Sequence, residues 1–214
     1  MPYATGRVIH DADAHIMETP GFLNDYLDAR SRAIVTDTVL FPRREGFHAA
    51  REKRAAFDDT QIMLRKNWDA LGSYRKQDRP RSIDLLGFAS QLMFTTALLN
   101  YSNVLEGGDD LDLTYAVANA HTRHMIDFCA VDRRLLPTAY IPLQDFERTA
   151  KAAGEALKMG AKALMIPSRC PTHHSPSHIA FDPLWAQAQE AGIPIVFHVG
   201  GGGKLLEDAY FNNG

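Results

Sequence analysis

From about residue 134 onward, short apolar runs alternate with amphipathic stretches at a regular interval. The run "RRLLPTAYIPLQD" (133–145) is apolar as far as Pro142, and Asp145 stands where it can cap a helix. In "FERTAKAAGEALKMG" (146–160), Ala150, Ala153, Leu157 and Gly160 recur at three- and four-residue spacing, which predicts a helix stopped by Gly160. "AKALMIP" (161–167) reads as a short buried strand, and the polar loop "SRCPTHHSPSHIAF" (168–181) follows it. Asp182 and Pro183 then cap and open a helix that Gly192 ends, ahead of another strand in "PIVFHVG" (194–200). Strand, helix, strand, helix, strand with tight connections predicts a parallel α/β sheet.

The front half is less regular. A first strand is expected at about 6–12, ahead of a short helix at 20–30 opened by Thr19 and Pro20. Residues 31–80 read as an excursion of loops and helices, followed by a core strand at 90–96 and a long helix over 109–130. The βα-type strands are therefore expected at 6–12, 90–96, 135–141, 162–167 and 194–199, with no internal repeat.

Composition narrows the partners. With 214 residues, 45% hydrophobic and 23% charged, the chain has material for one sizeable globular core. A net charge of −3 leaves no basic excess to neutralise phosphates, which argues against nucleic acid. The basic stretch at 65–82 reads as a solvated helix and loop. No apolar run approaches the roughly 18 residues of a membrane span, and the N-terminus has no apolar signal core. Cys129 and Cys170 form neither a CxxC pair nor a disulfide framework, so reduced thiols and a cytoplasmic location are expected.

Candidate chemistry begins with D-A-D-A-H. Asp11, Asp13 and His15 recur at every second position, so an extended backbone would point all three one way. Carboxylate and imidazole suit Zn²⁺, Mn²⁺ or Fe²⁺; the competing reading is a loop whose aspartates cap or turn. His198 closes the strand at 194–199, either as a ligand or as a satisfied core histidine. Glycines 200–203 allow close backbone approach but lack the frame of a phosphate loop. His121 and His124 sit three apart on a helix, where packing competes with metal binding. Arg169, His173, His174 and His178 lie in the loop after the fourth strand, at the end where parallel α/β folds bind ligands, and are candidates for substrate contact. Neither cysteine has a recognisable base partner. A (β/α)₈ barrel unites the stronger candidates, because it brings the carboxyl ends of strands one and five to one mouth.

The segments "VIHDADAHIMETPGFL", "LLPTAYIPLQDFERTAKAAGEALKMGAKALMIP" and "FDPLWAQAQEAGIPIVFHVG" together resemble the amidohydrolase-related proteins. These form the aminocarboxymuconate-semialdehyde decarboxylase-like branch of the metal-dependent hydrolases. The resemblance spans essentially the whole chain, most clearly 7–20 and 133–200. It implies a TIM barrel holding a divalent ion, with zinc the first choice and manganese or iron also admitted. The family's ligand positions fall on Asp13, His15 and His198. Asp11, without a ligand role in the pattern, is expected behind them, orienting His15 or a loop amide. The resemblance also implies a small carboxylic or aromatic substrate, hydrolysed, hydrated or decarboxylated, and a homodimer. The family's acid/base histidine and a further ligand aspartate would fall beyond residue 214. The chain is accordingly expected to be a single partial barrel domain over 1–214, truncated after the fifth strand. The alternative is a catalytically inactive fragment or pseudo-enzyme acting only as an interaction module.

Overall fold

The computed structural model describes residues 2–40 and 59–198. Five strands, β1 (His10–His15), β2 (Ser90–Phe94), β3 (Leu135–Tyr140), β4 (Ala163–Pro167) and β5 (Ile195–His198), lie in sequential order. Every neighbouring pair is parallel. The described helices are α1 (Ala29–Ile34), α2 (Asp37–Leu40), α3 (Arg79–Leu86), α4 (Ala97–Glu106), α5 (Leu111–Cys129), α6 (Phe146–Met159) and α7 (Asp182–Ala191). Parallel strands in chain order with helical crossovers make half of a (β/α)₈ barrel.

The back half forms where its punctuation places it. Asp145 accepts the Arg148 amide at the start of α6, and Gly160, at φ 102°, ends it in the left-handed region. Alanines 153 and 156 let α6 approach β3 and β4 closely, and Leu164, Ile166, Phe181 and Leu184 fill the space between the layers. One detail differs from expectation. Asp182 is the first residue of α7 rather than its cap, because the 3₁₀ turn Ile179–Phe181 runs straight into the helix.

The front half departs further. The first strand was expected at 6–12 but runs over His10–His15. Val8 is 80% exposed, whereas Ala14 and Ile16 are 5% and 1% exposed and pack with Met93. Burial against β2, rather than the local apolar pair, decides where the strand lies. Three steps of β1, from Asp11 to Ala14, also face only two of β2, from Gln91 to Met93. This irregularity breaks the period-two alternation across D-A-D-A-H.

The helix expected at 20–30 is instead a series of turns after Gly21 (φ 78°), and α1 starts only at Ala29, where Asp28 caps it. Helix α4 had no counterpart among the expected elements. The long helix expected at 109–130 is α5, capped by Asp110. Much of the 31–80 excursion, residues 41–58, and the glycines at 200–203 lie outside the described residues. Among those described, no helix is long and apolar enough to cross a membrane. Both cysteines are buried, Cys170 with its Sγ 3.8 Å from the His174 carbonyl oxygen.

Candidate metal centre

A flat sheet would set β1 and β5 roughly 19 Å apart, four inter-strand steps of about 4.8 Å. Instead, His15 at the end of β1 and His198 at the end of β5 stand Nε2 to Nε2 at 3.1 Å. The sheet is therefore strongly curled, and its two outer strands converge at their carboxyl ends. Asp13 completes the meeting point, with Oδ1 at 3.2 Å from His15 Nε2 and 3.2 Å from His198 Nε2. Among the described residues this is the one group of three or more such side chains placed to hold an ion. Phe94 supplies an apolar wall, its ring 5.9 Å from His15 and 4.8 Å from His198.

The donor atoms fit a divalent cation. With bonds of about 2.1 Å, neighbouring donors stand roughly 3.0 Å apart around an octahedral ion and roughly 3.4 Å around a tetrahedral one. The observed edges of 3.1, 3.2 and 3.2 Å fall between these limits. The protonation pattern agrees. Thr96 donates its only hydroxyl proton to the Ile16 carbonyl at 2.7 Å, so at 3.0 Å it accepts from His15 Nδ1–H. That tautomer leaves a lone pair on Nε2, facing Asp13 and His198. Burial, the largest influence, lowers the His15 pKa below 6.5; Asp13 opposes the change and His198 adds to it. A neutral imidazole is the form that coordinates metals.

Asp11 takes other partners. Its Oδ1 accepts the Asp13 amide at 3.1 Å and its Oδ2 accepts Gln91 Nε2 at 3.0 Å. Gln91 Oε1 in turn accepts Arg79 Nε at 2.9 Å, and Arg79 Nη1 donates to the His15 and Gly72 carbonyls at 3.3 Å each. Burial lowers the Arg79 pKa to about 10, which still leaves the guanidinium charged at neutral pH. Asp11 thus reaches the triangle through backbone, at Asp13 directly and at His15 by way of Gln91 and Arg79. The His15 ring is held by Thr96.

The loop candidates are engaged elsewhere. Arg169 lies against Gly107 at the end of α4 and donates to the Asn103 carbonyl at 3.5 Å. His174 Nε2 donates to the Leu143 carbonyl at 2.8 Å, with its ring 4.4 Å from that of Phe146. His173 is exposed, and His178 Nδ1 accepts the Ala180 amide. No hydrogen bond among the described residues joins any of the four to the triangle. On α5, burial takes the pKa of His121 to about 3 and that of His124 to about 4. His124 packs against Phe22, Tyr26 and Phe128, so the helix uses both histidines as core.

Sequence reasoning missed Thr96, Glu18, Gln91 and Arg79. The Thr95-Thr96 pair directly after an apolar strand was the one local signal, since hydroxyls there border the mouth of a parallel sheet.

Comparison with known proteins bears on the fold and the family. A family model described as amidohydrolase matches residues 11–212. Among curated proteins, none matches the chain. Of solved structures, the amidohydrolase map2389c from Mycobacterium avium subsp. paratuberculosis is similar at 18% identity and a TM-score of 0.71, covering 92% of this chain and 59% of that one. The 5-carboxyvanillate decarboxylase LigW2 from Novosphingobium aromaticivorans, with bound manganese and 3-methoxy-4-hydroxy-5-nitrobenzoic acid, is similar at 20% identity and 0.54, covering 90% and 51%. LigW from Sphingomonas paucimobilis gives 15% and 0.54, covering 96% and 56%. The chain spans between 51% and 59% of these three structures. Because the family match takes in all five strands and the three converging side chains, the chain belongs to the amidohydrolase family.

Proposed function

We propose that the chain carries the ion-holding part of an amidohydrolase-type active site, with Asp13, His15 and His198 as ligands of one divalent metal. The observation that carries this reading is the triangle of donor atoms with edges of 3.1–3.2 Å, drawn from strands at opposite ends of the sheet. Such an ion supplies Lewis acidity, polarising a substrate oxygen or lowering the pKa of a water. The chain's own part is to present the His15 Nε2 lone pair and the Asp13 side-chain oxygen against the Phe94 wall. Asp11 positions the Asp13 backbone behind them. A water-sized cleft lined by Leu99, Ser102, Asn103, Met165, Ile166 and Ser168 borders His198.

The substrate class we infer is a small carboxylic or aromatic acid, undergoing decarboxylation, hydrolysis or hydration. Support comes from two similar structures that are 5-carboxyvanillate decarboxylases, one holding a nitrobenzoic acid. Zinc suits two imidazoles and one carboxylate. Manganese stands beside it because a similar decarboxylase contains it. Calorimetric titration of chelator-stripped chain with Zn²⁺ and Mn²⁺ tests the assignment. One ion per chain is expected for the parent and none for His198→Ala. A parent that binds neither metal, or a folded His198→Ala variant that retains one, refutes it. Carbon dioxide release from hydroxylated benzoic acids then separates decarboxylation from hydrolysis.

A further inference from the structure

Thr96 occupies the N-cap position of α4, yet its hydroxyl makes no capping hydrogen bond to the helix. Threonine at this position ordinarily turns its oxygen onto an amide of the first turn. Here the hydroxyl bridges the Ile16 carbonyl and the His15 ring instead. Glu18 instead takes the two amides at the very start of the helix, those of Thr96 itself and of Ala97. One Glu18 oxygen accepts the Thr96 amide at 3.0 Å, and the other accepts Thr96 at 3.1 Å and Ala97 at 2.9 Å. The Thr95 hydroxyl also donates to this carboxylate.

Glu18 is 3% exposed, in a segment anchored by Trp68 Nε1 donating to its carbonyl at 3.1 Å. Burial raises its pKa, and the donors gathered at the helix terminus oppose that rise. The hydroxyl that accepts from His15 Nδ1 is therefore carried on backbone held by one carboxylate.

We propose that Glu18 is a positioning residue of the centre: by holding the Thr96 and Ala97 amides, it fixes the backbone from which the Thr96 hydroxyl reaches His15 and keeps its proton on Nδ1 and its lone pair toward Asp13 and His198. Glu18 is not one of the three side chains of the triangle; it acts through Thr96. Without it, the Thr96 backbone loses its anchor, and the hydroxyl would no longer be held against the ring. The metal-affinity part of this inference rests on the function proposed above, whereas the tautomer part stands on the apo chain alone.

The test uses the whole chain and the variants Glu18→Gln, Thr96→Val and Thr96→Ser. Glutamine turns a donor onto the amides that Glu18 accepts; valine removes the hydroxyl at equal volume; serine keeps it. Nitrogen-15 NMR of metal-free chain is expected to show His15 protonated at Nδ1 in the parent and in Thr96→Ser. The Nδ1–H population is expected to fall in Thr96→Val and Glu18→Gln. Zn²⁺ affinity should weaken about 10- to 100-fold in those two variants, recover with serine, and weaken no further in the double variant. Parent-like tautomer and affinity in Thr96→Val overturn the proposal, even if Glu18→Gln fails to fold. So does additive loss in the double variant. A parent that binds no zinc but shows the Nδ1–H tautomer, lost in both variants, would sink the metal reading and leave this one standing.

Discussion

Glu106 ends α4 with no exposed surface, and its Oε1 accepts the Tyr140 hydroxyl at 2.7 Å. Burial raises its pKa from 4.5 to about 7; the Tyr140 bond, the Leu143 amide and the Arg169 charge offset this only in part. A carboxyl whose folded pKa lies above its unfolded one binds more protons when folded. Stability is therefore lost as pH rises through 4.5, and the loss levels off above about 7. At about 1.4 kcal/mol per pH unit, the interval corresponds to roughly 3 kcal/mol, most of it lost between about pH 5 and 8. Glu106→Gln keeps an acceptor for Tyr140 and removes the charge. Urea unfolding at pH 5 and pH 8 should show the parent losing stability across this interval by about 2–3 kcal/mol more than the variant. Parallel pH profiles for the two proteins would refute the reasoning, because the buried charge would then cost nothing.

Three further outcomes are expected. Among the described residues, neither ring nitrogen of the fully buried His121 has a hydrogen-bond partner, and its pKa is lowered to about 3, so it withdraws stability as pH falls from 6.5 toward 3. His121→Leu should flatten that acid limb in pH-dependent thermal melts; an unchanged acid midpoint counts against it. Gly72 has φ +69°, and a Cβ there would stand 2.6 Å from the Arg79 Cα, so Gly72→Ala should cost more than about 1 kcal/mol in denaturant melts. Leu184, fully buried between α7 and the sheet, should cost about 2–5 kcal/mol when cut to alanine; a loss under about 1 kcal/mol would show that the layer repacks freely.

The back half was legible because its signals are local. Asp145, Gly160 and Gly192 punctuate helices that sit on continuous apolar runs, and the strands follow from them. In the front half the deciding contacts are distant. β1 lies over the polar D-A-D-A-H because Ala14 and Ile16 find Met93 across the sheet, which no window around Val8 and Ile9 reveals. Helix α4 escaped notice for a similar reason, since its cap is a glutamate 79 positions before Ala97. In the centre, Asp13, His15 and His198 were identifiable from residue type and strand-end position. Thr96 was not, because its role depends on which hydroxyl proton goes to Ile16. Arg169 and His174 stand at the expected end of the sheet and donate to the Asn103 and Leu143 carbonyls, contacts that residue type alone does not reveal.

The contact between His15 and His198 spans 183 positions of the chain, and the strand pairings between them act like links in a gauge. A slip of one residue in any of the four pairings would move β5 along its axis by about 3.3 Å relative to β1. That equals a whole edge of the triangle, whose sides are 3.1–3.2 Å. A slip would also turn the His198 side chain to the opposite face. The centre therefore reports the alignment of the entire sheet: it assembles only when every strand is in register, and a misfolded chain cannot present it by halves.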